Sequence, residues 1–435
     1  MTSFLALFGG ENLDLKYDHF YKRDYQNRKL LILEQLSQVV QGDQLLSENY
    51  DDGMAEVIEN YLTNYQIPEG IATNIVVNGT EHLVPMVTEE PSVIAACSNG
   101  AKLLATMGGI KAEVQSNLVA GQVVIKTNSQ SVVAQFVSKN ERKLLQVANQ
   151  SHPSILSYAT GAKRISVRVL EPEYVSVDLL VDSGEAMGAN IVNSMLEAVK
   201  AYMQENLDAI EPLMAILTND GESSLVNVSG KVSFASLETK TMSGDVVAER
   251  ISAASHIAQI DPVRAATHNK GIMNGVDAAA IALGNDWRAI ESAAHSFATK
   301  RGNYRGLSNW QISDGNLVGT MTIPIPIGFV GGATRVFKLA KLNQEIAQVS
   351  DSEQEMQLIA AVGLAQNLAA LKALVTEGIQ RGHMSLAVKS AVIANGATPG
   401  EVSTVVERLT TLGKHDAETI KKVINEIRKE RKNNG

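Results

Sequence analysis

Residues 267–288 read THNKGIMNGVDAAAIALGNDWR, and they set the strongest constraint on the fold. The apolar run at residues 276–283 predicts one buried helix. Lys270 and Asp286 flank this run, although charged groups are normally excluded from a core. An opposite charge would keep the lysine ionised and able to donate a proton, whereas burial opposes ionisation. The pattern therefore predicts either a catalytic pair that the helix holds together or a structural ion pair.

Composition limits the class of partner. The chain has 435 residues, enough for two or three domains, and a formal net charge of -9. Its one strong basic cluster lies in the last helix, so neither nucleic acid nor a membrane is expected as the main partner. The single cysteine, Cys97, excludes an internal disulfide and a cysteine-based zinc site, and we expect it to be buried and inert. No metal is expected, and a cytoplasmic protein is predicted.

The pattern of strands and helices changes twice along the chain, which predicts a smaller domain inserted in a larger one. Strands and helices alternate within the insertion as in ferredoxin-like folds. The predicted fold class is α+β, with a large domain, an inserted ferredoxin-like domain and a small helical C-terminal lid. The predicted boundaries are residues 1–110 and 221–375 for the large domain, 111–220 for the insertion and 376–435 for the lid.

Three local patterns give further structural expectations. Residues 132–136 resemble a strand, and the strand LVGTMTIPIPI is placed at a sheet edge by Pro324 and Pro326. Asn285 or Asp286 is a plausible cap for the helix that follows it. Capping is the structural alternative to a catalytic role for that aspartate.

Two isolated titratable residues also have competing interpretations. Glu90 precedes Pro91 at a predicted helix N-terminus, where a carboxylate is readily explained as a cap. His383 follows Gly378 and Gly382, ahead of a small helical unit. A flexible joint with a histidine suits a lid that delivers a proton, although a lone histidine is more often structural.

Other residues are candidates for ligand binding. Gly188 and Asn190 open a predicted helix whose backbone amides can hold a pyrophosphate, although glycine is common at such positions. A long helix rich in alanine and leucine is predicted at residues 352–375. Gln366 and Asn367 are amides within it, and they are either structural bridges or substrate ligands.

Four segments together resemble the signatures of one family, in the same order and at similar intervals. They are EEPSVIAACSNGAKL, EAMGANIVN, ATHNKGIMNGVDAAAIALGNDWRA and LAQNLAALKALVTEGIQRGHM. The family is the class II, bacterial type of 3-hydroxy-3-methylglutaryl-CoA reductase, and the resemblance extends over nearly all of the chain. It implies catalytic roles for Glu90, Lys270, Asp286 and His383, in place of the structural interpretations.

The resemblance also implies the reaction. The thioester is reduced twice, through a hemithioacetal and mevaldehyde, to mevalonate and CoA. Lys270 would stabilise the oxyanion, and His383 would protonate the departing thiolate. Glu90 would donate a proton to the carbonyl oxygen, and Asp286 would tune Lys270 and Glu90. The implied substrate contacts are Ser92, Arg264 and Asn274, with Gln366 and Asn367 nearby.

The resemblance further implies that the large domain has a central helix and holds the substrate, and that the inserted domain binds the nicotinamide cofactor. The contacts expected there are Glu185, Met187, Gly188 and Asn190. Where NADH-using members have an acidic residue, the segment YATGAKRISV has Lys163 and Arg164, which would attract a 2′-phosphate. We therefore predict NADPH, with NADH as the second candidate.

The family implies a homodimer with its active site between two subunits, and further assembly stays open. Two alternative functions remain. One is NAD-dependent oxidation of mevalonate to the acyl-CoA in a degradative pathway, which the same catalyst would perform. The other is a non-catalytic CoA- or nucleotide-binding protein, against which the four filled catalytic positions argue.

Overall fold

The computed structural model describes residues 20–208, 210–376, 378 and 388–433. The chain divides into two compact units, Met1–Pro68 and Glu69–Gly435. The described part of the first unit is helical. A 3₁₀ turn, Phe20–Lys22, is followed by the helices α1 (Tyr25–Leu33), α2 (Val39–Glu48) and α3 (Asp52–Ala55).

The second unit contains two β-sheets within the described residues. The six-stranded sheet contains β1 (Glu69–Val77), β2 (Thr80–Val87), β3 (Ile110–Val114), β8 (Leu225–Ser233), β9 (Ser308–Ser313) and β10 (Asn316–Pro324), in the order β2-β1-β3-β8-β10-β9. The four-stranded sheet contains β4 (Val119–Lys126), β5 (Gly161–Glu171), β6 (Tyr174–Asp182) and β7 (Glu211–Leu217), in the order β5-β6-β4-β7.

Most helices of the second unit connect or cover these sheets, and the last two follow at the C-terminal end. They are α4 (Ser92–Ala105), α5 (Gln130–Ser151), α6 (Ala189–Asn206), α7 (Phe234–Leu237), α8 (Gly244–Ile260), α9 (Pro262–Ala282), α10 (Trp287–Thr299), α11 (Lys338–Ala347), α12 (Ser352–Val375), α13 (Val402–Leu412) and α14 (Ala417–Asn433), with short 3₁₀ turns at Pro153–Ser157 and Gly332–Arg335.

The smaller sheet has the connectivity of a ferredoxin-like unit. Helix α5 links β4 to β5, helix α6 links β6 to β7, and neighbouring strands are antiparallel. Met195 and Met203 of α6 are fully buried in its core, as expected for a methionine stripe at helical spacing. The predicted boundary at residue 111 is too early, because β3 pairs with β8 in the larger sheet.

Two local predictions are wrong. Residues 132–136 belong to α5, because Val133, Val137 and Leu144 are buried at helical spacing on one face. Strand β10 pairs on both sides, with β8 and with β9, so it is not an edge strand. The sheet tolerates Pro324 because it is the last residue of β10, beyond the end of the β9 pairing at Met321.

Helix α12 runs through the core of the second unit with the bounds that the sequence predicts. It packs on α4 and α9, and buried residues cover nearly all of its faces. Among the described residues it is also the one helix that is long and apolar enough to cross a membrane, yet 72% of its apolar window is buried inside the protein. Burial on all sides is typical of a core helix. Cys97 of α4 is fully buried in the same core, and burial raises the pKa of its thiol to about 12.

The C-terminal helices form a separate apolar cluster. Its buried members include Val392, Val405, Leu409 and Ile424. Arg428 of α14 pairs with the Glu401 carboxylate at 2.8 Å, which ties α14 to the residue that precedes α13.

The crossing of α4 and α12 requires glycine at position 100. A Cβ there would lie 2.0 Å from the carbonyl oxygen of Ala365. We expect Gly100→Ala to lower the free energy of unfolding by about 2–3 kcal/mol, as overpacking does, in urea titrations. The control is Gly271→Ala on α9, where the new Cβ would meet Ala370 at an ordinary 3.8 Å. Equal losses in both variants would contradict this account.

Candidate active site

A cavity of about 430 Å³ opens between the N-terminal end of α4, one face of α9 and the second half of α12. It brings together seven of the predicted site residues: Glu90, Ser92, Arg264, Lys270, Asn274, Gln366 and Asn367. Its remaining wall is mostly alanine and leucine from α4 and α12. A mainly apolar cleft with a few convergent polar groups is typical of a small-molecule site.

Helix α9 positions the basic side chains of the cavity. It begins at Pro262 and ends at Ala282, so it includes Lys270 and the apolar run from residue 276, with Leu283 as its C-cap. Pro262 occupies the first helical turn, and Asp261 caps it by accepting the Val263 N–H at 3.0 Å. Arg264 and Lys270 are six residues apart, so they point about 120° apart around the helix axis, and both of their side chains line the cavity. Lys270 is exposed to the open cavity.

Glu90 lies at the N-terminal edge of α4, as predicted. Its Oε1 accepts a hydrogen bond from the Ser92 hydroxyl at 2.9 Å, and its backbone N–H donates to Thr88 Oγ1 at 3.1 Å. Pro91 occupies the N-cap position. Glu90 and Ser92 therefore enter the cavity as one hydrogen-bonded pair.

Asp286 does not line this cavity. It caps α10, because its Oδ1 accepts the backbone N–H groups of Arg288 and Ala289 at 3.0 and 3.2 Å. Partial burial acts to raise the pKa of Asp286, but its hydrogen bonds with Arg288 and Ala289 outweigh burial and lower the pKa. From Lys270 to the end of α9 at Ala282 the helix rises by about 18 Å. Within one chain the predicted Lys–Asp pair is therefore wrong, because α9 holds its two ends apart.

Arg264 and His268 determine the electrostatics of the cavity wall. Burial lowers the pKa of the Arg264 guanidinium, and within the described part of the chain Arg264 has no acidic partner. Burial and the nearby Arg264 lower the pKa of His268 to about 4, so His268 is neutral at pH 7. The cavity therefore presents a fixed positive charge that suits an anionic ligand.

The two amides of α12 have different environments. Asn367 Oδ1 accepts from the Ser308 hydroxyl at 2.8 Å and from Trp310 Nε1 at 2.7 Å. His268 Nε2 lies 2.7 Å from Ser308 Oγ and 3.2 Å from Asn367 Nδ2, so the imidazole belongs to the same buried network. Gln366 Oε1 is buried without a hydrogen-bond partner among the described residues. Gln366 is therefore the better candidate for a ligand contact, and Asn367 is a structural bridge.

Comparison with known proteins agrees with this geometry. The sequence profile described as "Hydroxymethylglutaryl-coenzyme A reductase" matches residues 25–388. The chain belongs to that family. It is an oxidoreductase, and the resemblance seen in the sequence is confirmed.

Two relatives and one solved structure illustrate the match to the reductase family. A 3-hydroxy-3-methylglutaryl-coenzyme A reductase of Archaeoglobus fulgidus is 40% identical over 86% of this chain and 85% of the relative. A probable reductase of Borreliella burgdorferi is 32% identical over 78% of each chain. The class II reductase of Streptococcus pneumoniae, solved bound to NADPH in open conformations, superposes with a TM-score of 0.73 at 39% identity, over 93% of this chain and 100% of that chain. The α+β fold is that of the class II reductases.

The segment predicted to contact the reductase cofactor lies near the C-terminal end of α9, because Gly328 contacts both Met187 and Asn285. Gly188 is the N-cap of α6 with a φ of 82°, and it has no side chain to cap the helix. Glu185 Oε2 accepts the backbone N–H of Ser352 at 2.6 Å. Met187 packs on Gly328, and Asn190 is exposed in the first turn of α6.

Lys163 and Arg164 are exposed on β5. Arg164 lines a cleft of about 1000 Å³ on the face of the smaller sheet that is opposite its helices, and Ser292 and Ser296 of α10 line the same cleft. Helix α10 begins at Trp287, directly after its N-cap Asp286. The same helix therefore carries Asp286 at its start and contributes to the wall of this cleft. His383 lies outside the described residues.

Several cavity residues were not predicted from the sequence. They include Thr267, His268 and Gly271, which flank Lys270 on α9. The helical period around Lys270 would have identified Thr267, because it lies on the same face. No local signal marked His268, since its role depends on Ser308 and Asn367, which are distant in sequence.

The different environments of Asn367 and Gln366 can be tested by stability. Asn367→Ala leaves the Ser308 hydroxyl and Trp310 Nε1 buried without their acceptor, so we expect it to cost at least about 2 kcal/mol. Gln366→Ala removes no internal hydrogen bond to its Oε1 among the described residues and should cost less. Thermal melts of the two variants provide the measurement. A larger loss for Gln366→Ala would contradict the assignment of Asn367 as the bridge.

Proposed function

We propose that the chain reduces 3-hydroxy-3-methylglutaryl-CoA to mevalonate and CoA with two NADPH, in an active site formed between two copies. The observation that supports this most directly is the cavity that joins Glu90, Lys270 and Arg264. It offers an acid, a cation for a developing oxyanion and a cation for a substrate carboxylate, which are the groups that this reaction needs.

The reaction requires charge stabilisation and proton delivery in each half. The Lys270 ammonium stabilises the negative charge that develops on the thioester oxygen when hydride adds to the carbonyl carbon. Collapse of the hemithioacetal breaks the C–S bond, and His383 protonates the departing thiolate. Glu90 donates a proton to the aldehyde oxygen in the second reduction. Its bond from Ser92 places the carboxyl group at the edge of the cavity.

The charged and hydrogen-bonding side chains that line the cavity suit the substrate. Arg264 suits bidentate contact with the free carboxylate of the acyl group. Gln366 Oε1, without a hydrogen-bond partner among the described residues, suits the substrate hydroxyl as an acceptor. Ser92 and Asn274 offer further hydrogen bonds.

The domain that contains the smaller sheet suits NADPH, which supplies the hydride when bound. The first backbone N–H groups of α6 have no side-chain cap, so they can donate hydrogen bonds to a phosphate. A Cβ on Gly188 would lie only 2.7 Å from the Ser183 side chain, so a larger residue does not fit at this turn. Arg164 has no acidic partner within the part of the chain that the structure describes, so it can pair with a 2′-phosphate.

The separation of Lys270 from Asp286 supports a site shared by two copies. Asp286 is next to the predicted cofactor residues, whereas Lys270 is at the substrate cavity. Near Asp286, Gly284 packs on Ala340 of α11. Exposed apolar side chains on α11 and just before it, available to a second copy, are Val330, Phe337, Leu339 and Leu342. A second copy would bring its Asp286 and cofactor to the exposed Lys270 of the first.

The reaction is tested by the fall in NADPH absorbance when 3-hydroxy-3-methylglutaryl-CoA is added, with NADH in a parallel assay. We expect a preference for NADPH in kcat/KM. Lys270→Ala should lower kcat about 10²–10³-fold, the range for loss of an oxyanion stabiliser. Lys102→Ala, an exposed lysine in the last turn of α4, is the matched control. Normal turnover in Lys270→Ala would reject the mechanism, and a strong preference for NADH would reject the cofactor assignment.

The shared site is tested by mixing inactive chains. Co-expressed Lys270→Ala and Asp286→Ala chains should recover roughly a quarter of wild-type activity, because half of the random dimers contain one intact site of two. The control pairs Lys270→Ala with Glu90→Ala, which lie in the same cavity and leave no intact site. Recovery in the control alone, or in neither pair, would contradict the two-copy arrangement.

A further inference from the structure

The turn that holds Asp286 is fixed by its neighbour Asn285. The Asn285 Oδ1 accepts the backbone N–H of Gly328 at 3.0 Å, and its Nδ2 donates to Glu355 Oε1. Because the Gly328 N–H can only donate, it determines which end of the amide is oxygen. The amide nitrogen of Asn285 must therefore face Glu355.

Glu355 is fully buried in the first turn of α12. Its Oε2 accepts from Gln344 Nε2 at 3.0 Å. Gln344 Nε2 also lies 3.2 Å from the carbonyl oxygen of Phe329, so this nitrogen is fixed as a donor as well. The carboxyl group of Glu355 thus joins the turn between α9 and α10 to α11.

The same hydrogen bonds reach the segment before α6. The Phe329 N–H donates to the carbonyl oxygen of Glu185 at 2.8 Å, and the Glu185 carboxylate accepts the Ser352 N–H at 2.6 Å. Ser352 is three residues before Glu355 in α12. A closed set of hydrogen bonds therefore connects Asn285, Glu355 and Glu185.

We propose that Glu355 is a positioning residue for Asp286. By holding Asn285, it sets the orientation of the α9–α10 turn relative to the segment at Glu185. The inference rests on the proposed function, since it takes Asp286 and that segment as parts of one half of the active site. Glu355 does not line the substrate cavity.

The charge state of Glu355 guides the choice of variants. Burial raises its pKa to about 8, and Glu185 acts in the same direction, against the hydrogen bonds from Gln344 and Asn285. Glutamine keeps the volume and one acceptor, so its amide oxygen can still accept from Asn285, whereas its amide nitrogen replaces the acceptor for Gln344. Leucine removes both acceptors at similar volume.

The first experiment separates kcat from KM. Glu355→Leu should lower kcat about 10–100-fold, as small displacements of a catalytic group do, while KM for the acyl-CoA changes less than about 2-fold. Glu355→Gln should stay within about 3-fold of wild type. Glu353→Leu, exposed in the same turn of α12, is the matched control and should change neither constant. Equal losses of kcat in Glu355→Gln and Glu355→Leu, or an unchanged kcat in Glu355→Leu, would overturn the proposal.

A double variant tests whether the effect passes through Asn285. If it does, Asn285→Ala should lower kcat in the wild-type background but add little to Glu355→Leu. Additive losses in the double variant would show that the two residues act separately, and would overturn the positioning role.

Amide hydrogen exchange gives a measurement independent of turnover. Exchange in the peptide that covers residues 284–290 should be faster in Glu355→Leu and unchanged in Glu355→Gln and Glu353→Leu. If the wild type does not oxidise NADPH with the acyl-CoA, the proposed reaction is wrong. The hydrogen-exchange comparison then tests the structural role of Glu355 without any measurement of turnover. Unchanged exchange in Glu355→Leu would then overturn the claim that Glu355 holds the turn.

Discussion

The close packing of α12 against α4 and α9 is the contact on which the rest of the structure depends. Glycines allow it: Gly100 of α4 lies against the Ala365 backbone, and Gly363 of α12 lies against Val276 of α9. Near one end of this packed core the helices leave a cavity, and each supplies part of its wall. Ser92, Lys270 and Gln366 converge because the three helix backbones approach so closely. The geometry of the candidate site is therefore a property of the core.

Much of this could be predicted because the signals were local. The apolar composition of α12 gave both of its ends, and Pro91 placed Glu90 at the start of α4. The family resemblance then selected seven residues that the fold does bring into one cavity. Six of them lie on regular helices, where sequence spacing determines direction, and Glu90 lies two residues before the start of α4.

The errors have physical reasons that sequence spacing does not contain. Lys270 and Asp286 are near in sequence, but a continuous helix between them separates the two groups. The predicted strand at residues 132–136 is helical because tertiary burial of Val133 and Val137 outweighs the β-propensity of valine. Pro324 did not exclude β10 from the sheet interior, because the pairing with β9 ends at Met321, before the proline is reached. The roles of Asn367 and Glu355 depend on partners that only the fold brings near.

The buried Cys97 has a consequence for a protein proposed to release a thiol at every turnover. It is the only cysteine in the sequence, it is fully buried, and its raised pKa leaves almost no thiolate at neutral pH. Thiol–disulfide exchange requires an accessible thiolate. Free CoA, or its oxidised disulfide, therefore finds no partner on the folded chain for a mixed disulfide. Accumulating product can compete for the site, but it cannot attach covalently to the native protein through sulfur.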